Sequence, residues 1–396
     1  MAKVSRGFWN PKRLVWFILC SIVAIIFVVR FFNNSDSTNL QNILQNLPKE
    51  ISQSINNAAS RQNSDLDILA EFERLAEEIA LKQDYQMQQM EKQRRLIEKK
   101  IKELKPLPSD LTLREKLAFT FEYEPKRKFP AFIWQTWKLD ANPRDTLLNK
   151  ENWDEKNPGF VHEILNDDIM HAFVRHYYST IPEVIEAYNV LPSLVLKIDF
   201  FKYLILLARG GVFADMDTVP LRPIPNWIPE DMNPNDIGLI VGVEHDAEHG
   251  SNNWKNKYIR RLQFGNWVIQ AKPGHPVIRE IVAHITEETI QRMLEGQLKV
   301  NIRNDLSIMS WTGTGIWTDV IFTYLNDYMK SGLLEKITWM HFHKLTKPRL
   351  LSDILVFPEF SFNAPYTIEN DDLHKEMYFT THESTKFWKA APKVAK

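Results

Sequence analysis

Two aspartates one residue apart, Asp215 and Asp217, close the stretch "ARGGVFADMDTVP" at residues 208–220. Close carboxylates repel each other unless a cation lies between them, and oxygen ligands suit Mg²⁺ or Mn²⁺. In extended backbone, residues at i and i+2 point to the same side, so both acids could face one ion. Such an ion would also bind diphosphate oxygens and take up charge as a diphosphate leaves. A bare D-x-D is common by chance, and a polar turn after a strand is the alternative. The helix, Gly-Gly and strand ahead of the pair weigh toward the metal.

Other residues could do chemistry nearby. Asp199 and Lys202 stand at i, i+3 on a predicted helix and share a face. They could bind a sugar hydroxyl and a phosphate, although the spacing alone favours a surface salt pair. Trp134 and Trp137 flank a predicted strand, where a ring could stack on a base or sugar or pack in the core. "HDAEH" (245–249) fits the inverted zinc-peptidase pattern H-x-x-E-H, which needs a helix. Here it follows a strand and runs into "GSNN", so a zinc peptidase is a minor alternative. No dinucleotide fingerprint, P-loop or G-x-S-x-G is present. "WTGTGIW" (311–317) reads as a turn that contacts substrate.

The elements that must position these residues begin near residue 110. "AFIWQTW" (131–137) and "GFVHEIL" (159–165) read as strands, with helices over 167–178 and 182–188. "SLVLKIDFFKYLILLARGG" reads as a helix with Ser193 as N-cap and Gly210 left-handed past its end. "GVFADMD" then reads as a strand ending in the acids, and "IGLIVGVE" (237–244) as another. Helices are expected at 276–296 and 316–330. Alternating strands and helices predict an α/β domain with a mostly parallel sheet.

The N-terminal third differs. Residues 14–32 are apolar apart from Arg30 and long enough to cross a bilayer as a signal anchor. Lys3, Arg6, Lys12 and Arg13 precede them, which keeps residues 1–13 cytoplasmic and sends the rest across. A cleaved signal peptide is the alternative; no small-x-small cleavage site follows. Cys20, the single cysteine, lies inside this span, so no intrachain disulfide forms. Residues 33–109 read as a stem. Its first part, to about 63, is an Asn, Ser and Gln-rich tether, and 64–104 is an amphipathic helix. That helix is either a solvated spacer or a coiled coil that self-associates. The net charge of −1 gives no reason to expect nucleic acid as a partner.

"DFFKYLILLARGGVFADMDT" resembles the signature of the D-x-D glycosyltransferases with a GT-A type, Rossmann-like nucleotide-sugar-binding fold. The likeness is greatest to the fungal initiation-specific α-1,6-mannosyltransferases and extends, more distantly, to the glucosylating clostridial toxins. "IWQTWK" (133–138), "NWVIQAKPGHPVI" (266–278), "WTGTGIWT" (311–318) and "HESTKFW" (382–388) extend it over most of 130–390. The resemblance implies retaining transfer of mannose from GDP-mannose to an N-linked high-mannose glycan, with Mn²⁺ on the diphosphate. The enzyme would be a single-pass type II Golgi membrane protein with a lumenal catalytic domain at 110–396.

It implies that Asp215 and Asp217 hold the metal with His382, and that Asp199 and Lys202 hold sugar hydroxyls and phosphate. Trp134 is placed near the base, Trp388 beside the site, and Gly211 at the donor. Glu244, His245 and Asp246 are the acceptor candidates, and a loop around 245–256 could close over the donor. The chain departs from the family pattern at Lys202, where Arg is usual, and at Phe213, where Tyr is frequent. Lys386-Phe387 stands where Ser or Gly often precedes the Trp. The remaining alternatives are a sister transferase with another donor or a sphingolipid acceptor, and a non-catalytic scaffold.

Overall fold

Helix α1, Leu113–Thr120, starts where Thr112 and Glu115 cap each other reciprocally across the first turn. The computed structural model describes residues 110–137, 143–248, 250–365 and 375–383, with Arg74, Tyr85, 88–90 and 92–94. The chain divides into units 1–106 and 107–396, and the fold is that of the second. The expected tail, span and tether, Trp388 and His249 lie outside the described residues, as does most of the 64–104 helix. Among the described residues no helix is long and apolar enough to cross a membrane.

After α1 the order is β1 (Phe132–Thr136), α2 (Pro143–Lys156), β2 (Val161–Leu165), α3 (Asp167–Tyr177), α4 (Pro182–Val190) and α5 (Leu194–Arg209). Then come β3 (Gly211–Ala214), β4 (Thr218–Pro220), β5 (Leu239–Asp246), β6 (Leu262–Phe264) and β7 (Val268–Ala271). The rest are α6 (Pro276–Leu294), α7 (Asp305–Trp311), α8 (Thr314–Leu325), α9 (Tyr328–Ser331), β8 (Arg349–Leu351), β9 (Ile354–Phe357) and β10 (Thr380–His382). The helix expected over 316–330 is two helices, because Asp327 caps a new one at Met329.

The main sheet runs β2-β1-β3-β7-β5-β9-β8, with β6 beside β5. It is mixed rather than mostly parallel. β1 pairs in parallel with β2 and β3, and β5 with β9, but β7 lies antiparallel to both β3 and β5. The reason lies in the connection. Parallel neighbours need a crossover, usually a full helix. Among the described residues between β5 and β7, the only helix is a single turn, Asn253–Asn256.

The strands alternate between two cores. Trp134, Phe213, Leu239, Val241, Ile354 and Val356 face the layer of α5, α6 and α8. Ile133, Val212, Ala214, Ile240, Leu355 and Phe357 face the other side with Trp153 and Trp227. Helix α5 is apolar nearly all round and is buried accordingly. Its end departs from expectation. Gly210 has the positive φ expected of it, 64, but a ψ of −163, so it is not in the αL conformation. Gly211 has φ 98, and a Cβ there would lie 2.8 Å from the Phe132 carbonyl oxygen. Glycine at 211 therefore lets β3 approach β1; its role is in the backbone rather than at the donor.

One polar cluster ties α8, the start of α6 and the β8–β9 turn together. Asp353 accepts from the hydroxyls of Tyr123 and, at 2.9 Å, Tyr324. His275 Nδ1 accepts from Val277 N–H, so its Nε2 carries the proton toward Asp353, 3.3 Å away. Burial opposes the charge, but His275 and the hydroxyls outweigh it and hold the Asp353 carboxyl well below its usual range. The carboxylate therefore stabilises the fold above the unfolded-state pKa of about 4. That contribution is lost as pH falls further toward the folded-state value. Asp353→Asn is expected to cost about 1.5–3 kcal/mol at pH 7 in denaturant melts. The gap to the parent should narrow as the pH is lowered below about 4.

Candidate active site

Strand β3 ends at Ala214, not at the acids. The Asp215 carbonyl accepts from Thr218 N–H at 3.0 Å and from Thr218 Oγ1 at 2.6 Å, which closes a turn over Asp215–Thr218. Gln135 Nε2 donates to the same oxygen at 3.3 Å. The two aspartates converge across this turn rather than along one face of a strand. Strand β10 then pairs antiparallel with β4, setting His382 opposite Thr218. Glu383 N–H donates to the Asp217 carbonyl at 2.9 Å.

The pairing brings His382 Nε2 to 3.4 Å from Asp217 Oδ1, with the imidazole stacked on Trp267. Ligand atoms of Asp215, Asp217 and His382 all lie within 4.8 Å of one another. Two carboxylates and one imidazole fit a divalent ion, and the imidazole leans toward Mn²⁺ over Mg²⁺.

Behind the turn lies Lys202, 1% exposed. Its Nζ is 3.0 Å from Asp199 Oδ1 and 3.2 Å from Asp215 Oδ1, and it donates to the Asn266 carbonyl at 3.3 Å. The i, i+3 pair is thus a buried bridge, not a surface one, because α5 is covered on every side from Asp199 to Leu207. Burial works against the ammonium, but Asp215 and Asp199 overcome it and raise its pKa. Asp215 is pushed up to about 6. Burial is the largest cause, Lys202 pulls the other way, and Asp217 and Asp199 add repulsion. Asp199 is held further by Thr312 Oγ1 at 3.2 Å and Asn266 Nδ2 at 3.4 Å. An ammonium has three protons, and here three acceptors surround it. Lys202 therefore acts as the counter-charge of Asp199 and Asp215, where a phosphate contact was expected.

These groups open onto a cleft of about 780 Å³, also lined by Trp137, Glu244, Tyr258 and Thr314. Such a volume suits a nucleotide sugar with part of an acceptor. Residues 143–233 match the family described as "Glycosyltransferase sugar-binding region containing DXD motif". "Putative glycosyltransferase HOC1" of Saccharomyces cerevisiae is 58% identical over 395 residues, 100% of this chain and 99% of that protein. "Initiation-specific alpha-1,6-mannosyltransferase" of Candida albicans is 38% identical over 302 residues, 72% of this chain and 78% of that protein. The chain belongs to the fungal mannosyltransferases of the D-x-D glycosyltransferase family. Among solved structures, "PaToxG Glycosyltransferase" overlies 53% of this chain and 75% of its own, at TM-score 0.34 and 13% identity, too slight a likeness to argue from.

Not every expected site residue of this mannosyltransferase reaches the cleft. Trp134 packs in the core, stacked on Phe132, and its Nε1–H donates to the Gly210 carbonyl at 2.8 Å. Of the two tryptophans in "IWQTWK", the one that lines the cleft is Trp137, one residue past the end of β1, where strand alternation no longer directs the side chain. The acceptor trio also separates. Glu244 lines the cleft, and its Oε2 accepts from Gln263 Nε2 at 2.7 Å. Burial raises its pKa against the pull of the Gln263 and Thr314 hydrogen bonds. His245 lies flat on Tyr258 with ring centroids 3.9 Å apart, and Asp246 accepts from His343 Nδ1 and Lys344 N–H. Both His245 and Asp246 belong to β5, so "HDAEH" does not form the helix that a zinc peptidase needs. Gln263 was not singled out in the sequence. It is fully buried, and its Oε1 accepts from Ile259 and Arg260 N–H while its amide holds Glu244 and Thr314.

Two variants separate the ion from its support. Asp217→Asn is expected to weaken Mn²⁺ binding by more than about 10–100-fold, the loss seen even when a residue behind a metal ligand is changed. Its melting temperature should change little; calorimetric titration reads the first claim and a calorimetric thermal scan the second. Lys202→Met leaves two carboxylates facing each other and is expected to cost about 3–5 kcal/mol of stability in denaturant melts.

Proposed function

We infer that this chain transfers mannose from GDP-mannose to a mannose of an N-linked high-mannose glycan, forming an α-1,6 bond with retention of configuration. The observation that carries this reading is the convergence of Asp199, Lys202, Asp215, Asp217 and His382 on one cleft. The name of the Candida albicans relative supports the mannosyl donor and the linkage. The N-terminal residues 14–32 support a type II Golgi anchor with the catalytic unit in the lumen, and the 64–104 helix supports self-association.

A Mn²⁺ held by Asp215, Asp217 and His382 would supply positive charge for the diphosphate. The protein's own contribution is to place that charge. Lys202 fixes the Asp215 carboxylate, and the β4–β10 pairing fixes Asp217 against His382. Asp199 and Glu244 line the cleft as acceptors for sugar hydroxyls. In the transfer, an acceptor hydroxyl oxygen bonds to the anomeric carbon as the bond from that carbon to the diphosphate oxygen breaks, and the hydroxyl proton passes to the departing diphosphate. The new bond forms on the face the diphosphate leaves.

The test uses the full chain in detergent with Mn²⁺, a panel of nucleotide sugars, and high-mannose glycan and inositol-phosphoceramide as acceptors. One added mannose in α-1,6 linkage from GDP-mannose, on the glycan alone and abolished by Asp215→Asn, is the expected result. Preferred use of a uridine-diphosphate sugar, or transfer to the lipid, would overturn it.

A further inference from the structure

We propose that Asp167 reads the base of the donor, its carboxylate accepting the neighbouring N1–H and N2–H donors of guanine. The proposal rests on the nucleotide-sugar reading above and names the residue that would set its base specificity. It starts from cleft-lining residues that belong to neither the metal cluster nor the acceptor candidates. Trp137 lines the cleft, as do Leu194, Val195 and Ile198 from the first two turns of α5. Leu194 is 40% exposed. An aromatic ring and open apolar side chains in one cleft make a surface suited to a flat ring system.

Asp167 supplies the polar edge of that surface. It is the first residue of α3, directly beyond β2, and it lines the same cleft. Trp137 N–H donates to the Leu165 carbonyl at 3.0 Å, so the β1–β2 ladder ends two residues before Asp167 and holds it near Trp137. Capping of α3 is done by its neighbour, since Asn166 accepts from Ile169 N–H at 3.0 Å. Among the described residues the Asp167 carboxylate makes no hydrogen bond or ion pair. Lys197 is close enough to feel its charge but donates to the Asn189 carbonyl. The second acid of that turn, Asp168, is exposed and does not line the cleft, so a favourable charge at the helix N-terminus does not require Asp167.

Hydrogen-bond chemistry then selects the base. A carboxylate only accepts. Guanine presents two adjacent donors on one edge, N1–H and the 2-amino group, which match the two carboxylate oxygens. Adenine offers its amino donor next to a lone pair. Uracil offers its one N–H between two carbonyls. Each of those would set an acceptor against the carboxylate, and a mismatch of this kind discriminates against the wrong base. The geometry of the sheet agrees. Asp167 follows β2 and the metal turn follows β3, two strand spacings apart, or roughly 10 Å. A ribose has to bridge a gap of that order between base and diphosphate.

The experiment measures binding of four diphosphates to the full chain in detergent with Mn²⁺: GDP, inosine diphosphate, xanthosine diphosphate and UDP. The parent should bind GDP most tightly and inosine diphosphate, which lacks the 2-amino group, less well. In Asp167→Asn, GDP affinity should fall about 10–100-fold, the loss of one or two charge-assisted hydrogen bonds. Xanthosine diphosphate should gain, because the new amide can donate to its C2 carbonyl. Asp168→Asn should change neither. If Asp167→Asn leaves the order of the four unchanged, or weakens all equally, Asp167 does not read the base. A parent preference for GDP would still leave the donor reading intact in that case. A parent that prefers UDP removes the donor reading and this proposal together.

Discussion

The site is organised around one ammonium group. Lys202 is buried between Asp199 and Asp215 and also bonded to the Asn266 carbonyl, so it pins three separate segments: α5, the turn after β3, and the β6–β7 connection. A lysine this deep is costly to charge, and only the two carboxylates keep it so. The remaining constraints follow from getting it there. Helix α5 must run directly behind β3, and the chain must reverse within two residues. Gly210 and Gly211, both at positive φ, make that reversal against β1 and against Pro273.

A second constraint is distant in sequence. The acids of the turn are completed by β10, which pairs with β4 and carries His382 to Asp217. Trp267 supports the imidazole from below, and its own indole N–H donates to the Phe362 carbonyl at 2.8 Å. The C-terminal segment is therefore a structural member of the site, and the β4–β10 ladder sets the position of the third ligand.

Much of this was legible in the sequence, and the failures have physical causes. The D-x-D acids follow β3 and His382 ends β10, while Asp199 lies within α5; helix and strand periodicity placed the first three, and the family resemblance, not periodicity, pointed to His382. The reversed β7 was not visible, since the four residues "VIQA" carry no direction and only the short connection decides it. Trp134 and Trp137 look alike in "IWQTWK", but position 134 falls on the core face of β1 and 137 lies beyond the strand. Glu244 and His245 parted for the same reason, since neighbours on a strand point to opposite sides. Gln263 left no signal at all. A buried glutamine in "RRLQFG" becomes a hub only once β6, β5 and the start of α8 are assembled around it.

The charge balance of the cleft argues that donor and ion bind together. Asp199, Asp215 and Asp217 carry three negative charges when ionised, and Lys202 returns one positive charge, which leaves two of the three carboxylates uncompensated by it. A diphosphate approaching that site would be repelled. The rise of Asp215 to about 6 shows the same repulsion within the protein itself, acting beside burial. A divalent ion cancels the two charges that Lys202 leaves over, so a diphosphate then meets a metal cluster whose excess negative charge is removed. Replacing Lys202 by a neutral residue would demand a third positive charge from the ion, which is why the lysine, though it spends its protons on the protein, governs what the cleft can bind.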